Sequence, residues 1–208
     1  MLKRDFLARI AATGFAALAF AHGGAQAQAA GPDALVKQLS NEVIDTVKSD
    51  AAIQAGDIKK IMALVDAKVL PHVNFQRMTS SAVGRHWRQA TPEQQAKLQS
   101  EFKTLLVRTY SGALTQVRDQ NVELKPLRMK PEDTEVVVRT EVKGKGEAIQ
   151  LDYRLEKQAE GWKIYDVNVL GVWLVENYRS SFAQEISAKG IDGLITKLVD
   201  LNGRAAKS

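Results

Sequence analysis

The sequence contains no cysteine, only three histidines and five prolines, and few aromatic residues among its 208 positions. Each shortage removes a class of explanation. Without thiols there is no disulfide framework, no thiolate nucleophile and no sulfur ligand for a metal. A chain of this length must then rely on one sizeable apolar core, in one domain or one domain with a small helical lobe. His22 falls in the leader described below, which leaves His72 and His86. His72 follows Pro71 at a helix end, and His86 sits between two arginines in GRHWRQA; neither has the companions that a metal or nucleophilic site requires. HExxH, the Walker loop, the GxSxG elbow, the paired-glycine fingerprint and the calcium loop are all missing. With no arginine-rich stripe, nucleic acid is an unsuitable partner. These absences predict no catalytic residue, no metal and no cofactor.

Long apolar runs are equally scarce. The run Ile10 to Ala21 follows a basic start at Lys3 and Arg4, and Ala25-Gln26-Ala27 and Ala27-Gln28-Ala29 offer small residues for processing. This is the secretory pattern, too short for a comfortable membrane span, and it predicts a signal peptide over 1–29 cleaved after Ala27 or Ala29. Lys3-Arg4-Asp5-Phe6-Leu7 has a weak likeness to a twin-arginine export signal, with Lys for the first Arg. No cysteine follows the run to carry a lipoprotein anchor. The expected product is soluble and outside the inner membrane, in the periplasm. The formal charge of +5 includes Lys3, Arg4, Arg9 and Asp5 of the leader, so +3 remains. That excess gives a small bias towards anionic surfaces.

What is present divides the rest of the chain into a helical part, 30–90, and a part from 91 to 208 with a long helix, a sheet and C-terminal helices. Asp33 to Lys48 has the apolar spacing of a helix, with Asp33 as its cap, and Asp57 to Leu70 forms another that Pro71 stops. Asn74 begins a short helix towards Gly84. Thr91-Pro92-Glu93-Gln94 is a capping box, opening a helix to about Val117 with a broad stripe through Leu98, Phe102, Leu106 and Tyr110. The period then changes to two, predicting strands over 122–127, 135–143, 148–157 and 162–169. Along the third, Ile149, Leu151, Tyr153 and Leu155 alternate with polar residues; along the fourth the parity shifts, which predicts a bulge near Tyr165 or cover on both faces. Beyond Gly171 a helix carries Val175, Tyr178, Phe182 and Ile186, and Gly190 separates it from a last one through Leu198. The expected fold is α+β: a curled antiparallel sheet of four or more strands, NTF2-like, against several helices with a large apolar pocket.

The junction YDVNVLGVWLVENYRSSF concentrates apolar and aromatic side chains where a strand gives way to a helix. Asp166 and Asn168 alternate with its apolar residues, and either face solvent, tie down a neighbouring loop or form a polar site. Arg85, Trp87 and Arg88 are read as a core wedge flanked by outward arginines, or as a patch for a partner.

Taken together and in order, VLPHVNFQRM, AVGRHWRQATPEQQ, FKTLLVRTYSGAL, the junction and GIDGLITKL resemble the MlaC, or toluene-tolerance, family of periplasmic phospholipid carriers, from about Ala34 to Leu201. The resemblance implies a soluble, monomeric shuttle whose cargo, a glycerophospholipid, keeps its tails inside and its head group near solvent. Its implied partners are an outer-membrane lipoprotein–porin complex and an inner-membrane ABC transporter, met through the latter's lipid-binding subunit. The expected lipid-binding wall comprises Phe75, Phe102, Leu106, Tyr110, Val138, Leu151, Tyr153, Val167, Val169, Val172, Trp173, Tyr178 and Phe182. Arg85, Arg88 and Arg179 are partner or head-group candidates, Arg179 having as its alternative an acidic partner on its own helix. The chain departs from the family pattern at Leu170 and Trp173, where a polar residue and a serine are usual. Two other readings are an NTF2-like periplasmic enzyme using Asp166 with Tyr165 or Tyr153 on a small hydrophobic substrate, and an adaptor with a filled core.

Overall fold

A computed structural model of the chain describes residues 30–204; the predicted leader and both cleavage positions lie outside the described residues. Helix α1, Pro32–Ser49, begins with Pro at its first position and Gly31 at its N-cap. Asp33, expected as the cap, instead sits in the first turn, where its charge complements the helix dipole. Asp50 caps α2, Ala51–Gln54, through Ala52 N and Ile53 N, and Asp57 caps α3, Ile58–Leu64, through Lys59 N and Lys60 N. The expected helix to Leu70 changes character: Val65–Val69 is a π turn and Leu70–His72 a 3-10 turn. Pro71 lacks the N–H needed to continue the ladder. The chain then extends, bridging Val73 to Ile164, with Asn74 N donating to Ile164 O at 2.8 Å. Asn74 caps α4, Phe75–Val83, which Gly84 ends at φ 67° before a 3-10 turn over Gly84–Gln89. The Thr91 capping box forms as expected and opens α5, Pro92–Leu114.

Five strands follow: β1 Asn121–Leu124, β2 Glu135–Lys143, β3 Ile149–Gln158, β4 Gly161–Val169 and β5 Val172–Trp173. All neighbours pair antiparallel in the order β1-β2-β3-β4-β5. This corrects the expected curled sheet. The meander is open, its edges are strands of four and two residues, and such short edges cannot pair around a closed wall. The bulge lies where the parity shift placed it: Arg154 pairs with Asp166 and Leu155 with Ile164, leaving Tyr165 as the extra residue. Helix α6, Leu174–Arg204, bends at Gly190, whose φ of 72° interrupts the helical backbone. Among the described residues, no helix is long and apolar enough to cross a membrane.

The core is in three parts. Cluster one joins α4, α5 and α6 through Met78, Leu98, Phe102, Phe182 and Leu194. Cluster two sets α1 against the sheet through Val36, Val138, Leu155 and Ile164. Cluster three gathers Val47, Ile53, Ile61, Leu64 and Val107 at the far end of α1. Helices α1, α4 and α6 come down onto the sheet, whereas α5 packs on α3, α4 and α6.

Candidate functional site: an apolar cleft between the sheet and α5

One row along α5 shows where the core opens. Leu98 and Phe102 are buried and Leu105 half-buried, but Thr109 and Ala113, in the same row, are exposed. This row is therefore packed in the first half of the helix and uncovered in the second. On the dry sheet face Leu151 pairs with Val169, Tyr153 with Val167, and Val169 with Val172. Leu151, Tyr153, Val167 and Val169 are all half-buried. At the strand ends the face runs out to Ile149, 41% exposed, Val172, 50%, and Leu170, 67%. Leu170 N donates to Gln150 O at 3.1 Å, and Asn168 Oδ1 accepts from Gly171 N at 2.8 Å, so this lip is held in place. Leu170 takes φ 52°, a conformation unfavourable for a branched side chain, and presents it outward.

The structure separates the predicted wall into three groups. Phe102 and Phe182 belong to cluster one and Val138 to cluster two, all of them buried. Phe75, Leu106 and Tyr178 border cluster one, Tyr153 borders cluster two, and Val167 borders both. Tyr110, Leu151, Val169 and Val172 join no cluster. Trp173 stands apart. It pairs with Asn168, which puts it on the opposite, polar face of the sheet, where the Arg154 guanidinium lies 3.9 Å from its ring centre. Thr109 and Ala113 were not among the expected wall residues; their signal was the break they make in the apolar stripe of α5. A separate depression of about 390 Å³ lies on α6, and its charged lining, Glu185, Lys189, Lys197, Asp200 and Arg204 among others, does not suit acyl chains.

Phe102 meets Tyr178 edge-on at 5.0 Å and Phe182 at 5.2 Å, which fixes the Tyr178 ring. Burial raises the Tyr110 and Tyr178 phenols, and the nearby Tyr178 oxygen raises Tyr110 further. Burial also raises the Tyr153 phenol.

On the polar face, Asp166 is 1% exposed. Its Oδ1 accepts from Val167 N and Val175 N at 2.9 and 3.1 Å, and its Oδ2 from Arg154 at 3.1 Å. Burial pushes its carboxyl above the ordinary carboxylate range, and the two backbone donors and Arg154 counter that rise. Asp166 thus holds the first turn of α6, and Asn168 the preceding turn. Both tie down the β4–α6 connection. Arg85 and Arg88 are exposed, with Trp87 packed against cluster one between them, so the wedge reading describes this segment. Arg179 has no acidic partner on its helix; its Nε donates to Ser81 O at 3.0 Å and braces α6 against α4. His72 is half-buried, and His86 Nδ1 lies 3.3 Å from Gln89 Oε1. No three His, Cys, Asp or Glu side chains gather at metal-binding distance among the described residues.

A profile of the MlaC protein family matches residues 37–200. The chain belongs to the MlaC family. Within the MlaC family it is 23% identical over 171 residues to the intermembrane phospholipid transport system binding protein MlaC of Haemophilus influenzae, covering 80% of each chain. It is 24% identical over 171 residues to the toluene tolerance protein ttg2D of Pseudomonas putida, covering 81% of this chain and 78% of that protein. Its fold matches a phospholipid-binding protein from Ralstonia solanacearum, solved in complex with a phospholipid. That match has a TM-score of 0.83 and 47% identity, and covers 85% of this chain and 99% of the other.

Proposed function

We propose that this protein is a periplasmic phospholipid carrier that holds acyl chains between the open sheet and the second half of α5. The exposed row at Thr109 and Ala113 on α5, together with half-buried Leu151 and Val169 that join no core cluster, supports this reading. Two acyl chains of about 16 carbons expose on the order of 25 kcal/mol of apolar surface to water, at about 0.8 kcal/mol per methylene. A cleft bounded by branched side chains and aromatic rings offsets that cost. Tyr110, Leu151, Val167, Val169, Val172 and Tyr178 meet the cargo directly, while Phe75, Phe102, Leu106, Val138, Tyr153 and Phe182 form its backing. Trp173 acts from behind by holding β5. The protein is a binding protein and not an enzyme: its one deeply buried carboxylate on this connection, Asp166, is occupied by backbone and arginine donors.

The carrier domain spans 30–208 after removal of the leader, and it exchanges cargo with an inner-membrane ABC transporter and an outer-membrane lipoprotein–porin complex. Exposed Arg85 and Arg88 offer anionic partners a docking edge, with Arg179 beside them on α6. Native mass spectrometry of the purified mature protein, followed by organic extraction, tests the carrier reading. The expected result is a monomer with copurified phospholipid. A protein without extractable lipid that also fails to take up added phospholipid would exclude it.

A further inference from the structure

The turn between β4 and β5 carries a side chain that its backbone disfavours. Leu170 and Gly171 are the two residues between the paired Val169 and Val172, and both have positive φ, 52° and 90°. A two-residue hairpin with this backbone favours Asn-Gly, because asparagine tolerates the left-handed region better than leucine does. The conformation is nonetheless fixed: Leu170 N donates to Gln150 O at 3.1 Å, and Gly171 N to Asn168 Oδ1 at 2.8 Å. Leucine gains nothing from the chain in return, since its side chain is the most exposed large apolar group among the described residues and joins no core cluster. Strain that presents an apolar group to water points to a use outside the fold.

The residues around Leu170 narrow that use. Exposed Ile149 and Val172 share the sheet face of half-buried Leu151 and Val169, so apolar surface continues from the inner strands to the turn. The β2–β3 turn at the same end of the sheet adds no excess charge: Lys143 is ion-paired with Glu123 at 2.6 Å, and Lys145 and Glu147 have opposite signs. Three side chains are too few for a stable protein partner, which buries about 800 Å² on each side. A small uncharged apolar tip instead suits a fluid medium that closes around it without a matching pocket.

We propose that Ile149, Leu170 and Val172 form an apolar lip that enters the surface of a phospholipid bilayer, with Leu170 at its tip. The contact goes beyond the carrier reading, and only its purpose rests on that reading: it sets the sheet face of Leu151 and Val169 against the layer with which cargo is exchanged. Because no excess charge backs the lip, its binding depends on apolar burial and not on anionic head groups or salt.

Since the chain has no cysteine, a single introduced thiol reports one place. Leu170→Cys in the mature full chain is labelled with an environment-sensitive nitrobenzoxadiazole dye and mixed with phosphatidylcholine vesicles whose acyl chains carry nitroxide quenchers. Ser100→Cys, exposed on α5, is the control. The Leu170 label should shift to the blue and be quenched, and the Ser100 label should not. Neither added salt nor phosphatidylglycerol should be needed. In the unlabelled chain, Leu170→Asn should keep a urea midpoint at or above that of the wild type, because the turn favours it. It should lose about tenfold in partitioning to phosphatidylcholine vesicles, as expected for withdrawing one leucine side chain from an apolar phase. If Leu170→Asn fails to fold, Leu170→Gly, which positive φ also favours, takes its place with the same expected loss. A Leu170 label that stays in water overturns the lip, as does partitioning that the substitution leaves unchanged or that appears only with anionic lipid at low salt. A clear fall in the urea midpoint would overturn it by making Leu170 a packing residue, and a label shielded by concentrated protein without vesicles would overturn it by making this face an interface between copies. A wild type that carries extractable phospholipid while its lip ignores vesicles overturns the lip alone. One whose lip enters vesicles but which never takes up phospholipid supports the lip and overturns the carrier reading.

Discussion

Val167 separates a cleft from a filled core more sharply than any other residue. It borders clusters one and two, pairs across the sheet with Tyr153, and remains half-buried. In a filled core, Val167→Glu would place an unpaired carboxylate among apolar groups and unfold the protein or cost several kcal/mol. On a cleft wall the carboxylate stays hydrated once lipid is gone, so the variant should fold cooperatively and retain little phospholipid. Val167→Trp should likewise exclude a tail at modest cost, whereas in a packed core it would overpack. Copurified lipid and thermal unfolding decide between these outcomes; wild-type lipid content in both folded variants would sink the assignment, and collapse of both would mark a filled core here. That Val167 and Val169 share one sheet face was legible from strand alternation. Trp173 was not, because a two-residue turn pairs 169 with 172 and 168 with 173, placing Trp173 on the Asn168 side. Sequence adjacency to Val172 suggested a shared wall; hairpin geometry puts successive residues on opposite faces.

At the scale of elements, α4 is fastened to the polar edge of the sheet by Arg77. Its guanidinium pairs with Glu135 at 2.7 Å and with Glu156, and it lies 3.6 Å from the Tyr165 ring centre. Asn74 adds a bond to Glu156 at 2.6 Å, and Tyr165 one to Glu135 at 3.0 Å. The Arg77 hydrogen bond holds Glu135 below its ordinary carboxylate range. A depressed carboxylate stabilises the fold fully above its unfolded value, near 4.5, and loses that contribution as pH falls through the lower folded value. Arg77→Met should therefore cost about 1–2 kcal/mol near neutral pH, since the groups are partly exposed. Its stability should also decline less steeply than the wild type's as pH drops below that range. Urea midpoints across a pH series measure both, and parallel profiles would show that Arg77 does not set the acid limb. The caps that begin α4 and α5 were plain in Asn74 and Thr91-Pro92-Glu93-Gln94, since capping chemistry is local. The bulge at Tyr165 was legible as a parity shift. The open sheet was not, because curl depends on whether the edge strands are long enough to meet, and β5, at two residues, leaves no periodic signal.

For the molecule as a whole, the consequence is a core that protein alone leaves in three parts. Val43 borders clusters two and three, and Val73 and Val167 border clusters one and two; these few side chains connect otherwise separate groups. Under the proposed carrier function, a lipid would lie against Tyr110, Leu151 and Val169, which join none of them, and so supply the contacts that the chain does not make with itself. Cargo that binds the folded state alone must stabilise it by mass action: about 2.7 kcal/mol when free ligand reaches 100 times its Kd. For a domain of this size that corresponds to a rise in Tm of roughly 5–10 °C. Detergent-assisted delipidation should therefore lower the melting temperature of the wild type, and added diacyl phosphatidylglycerol should restore it in a concentration-dependent way. Val167→Glu, with its cleft wetted, should melt near the delipidated wild type and respond little to the same lipid. A stripped wild type that melts as the loaded protein does, with no response to phospholipid, would mean that the three clusters are already sufficient and that the cleft contributes nothing to the fold.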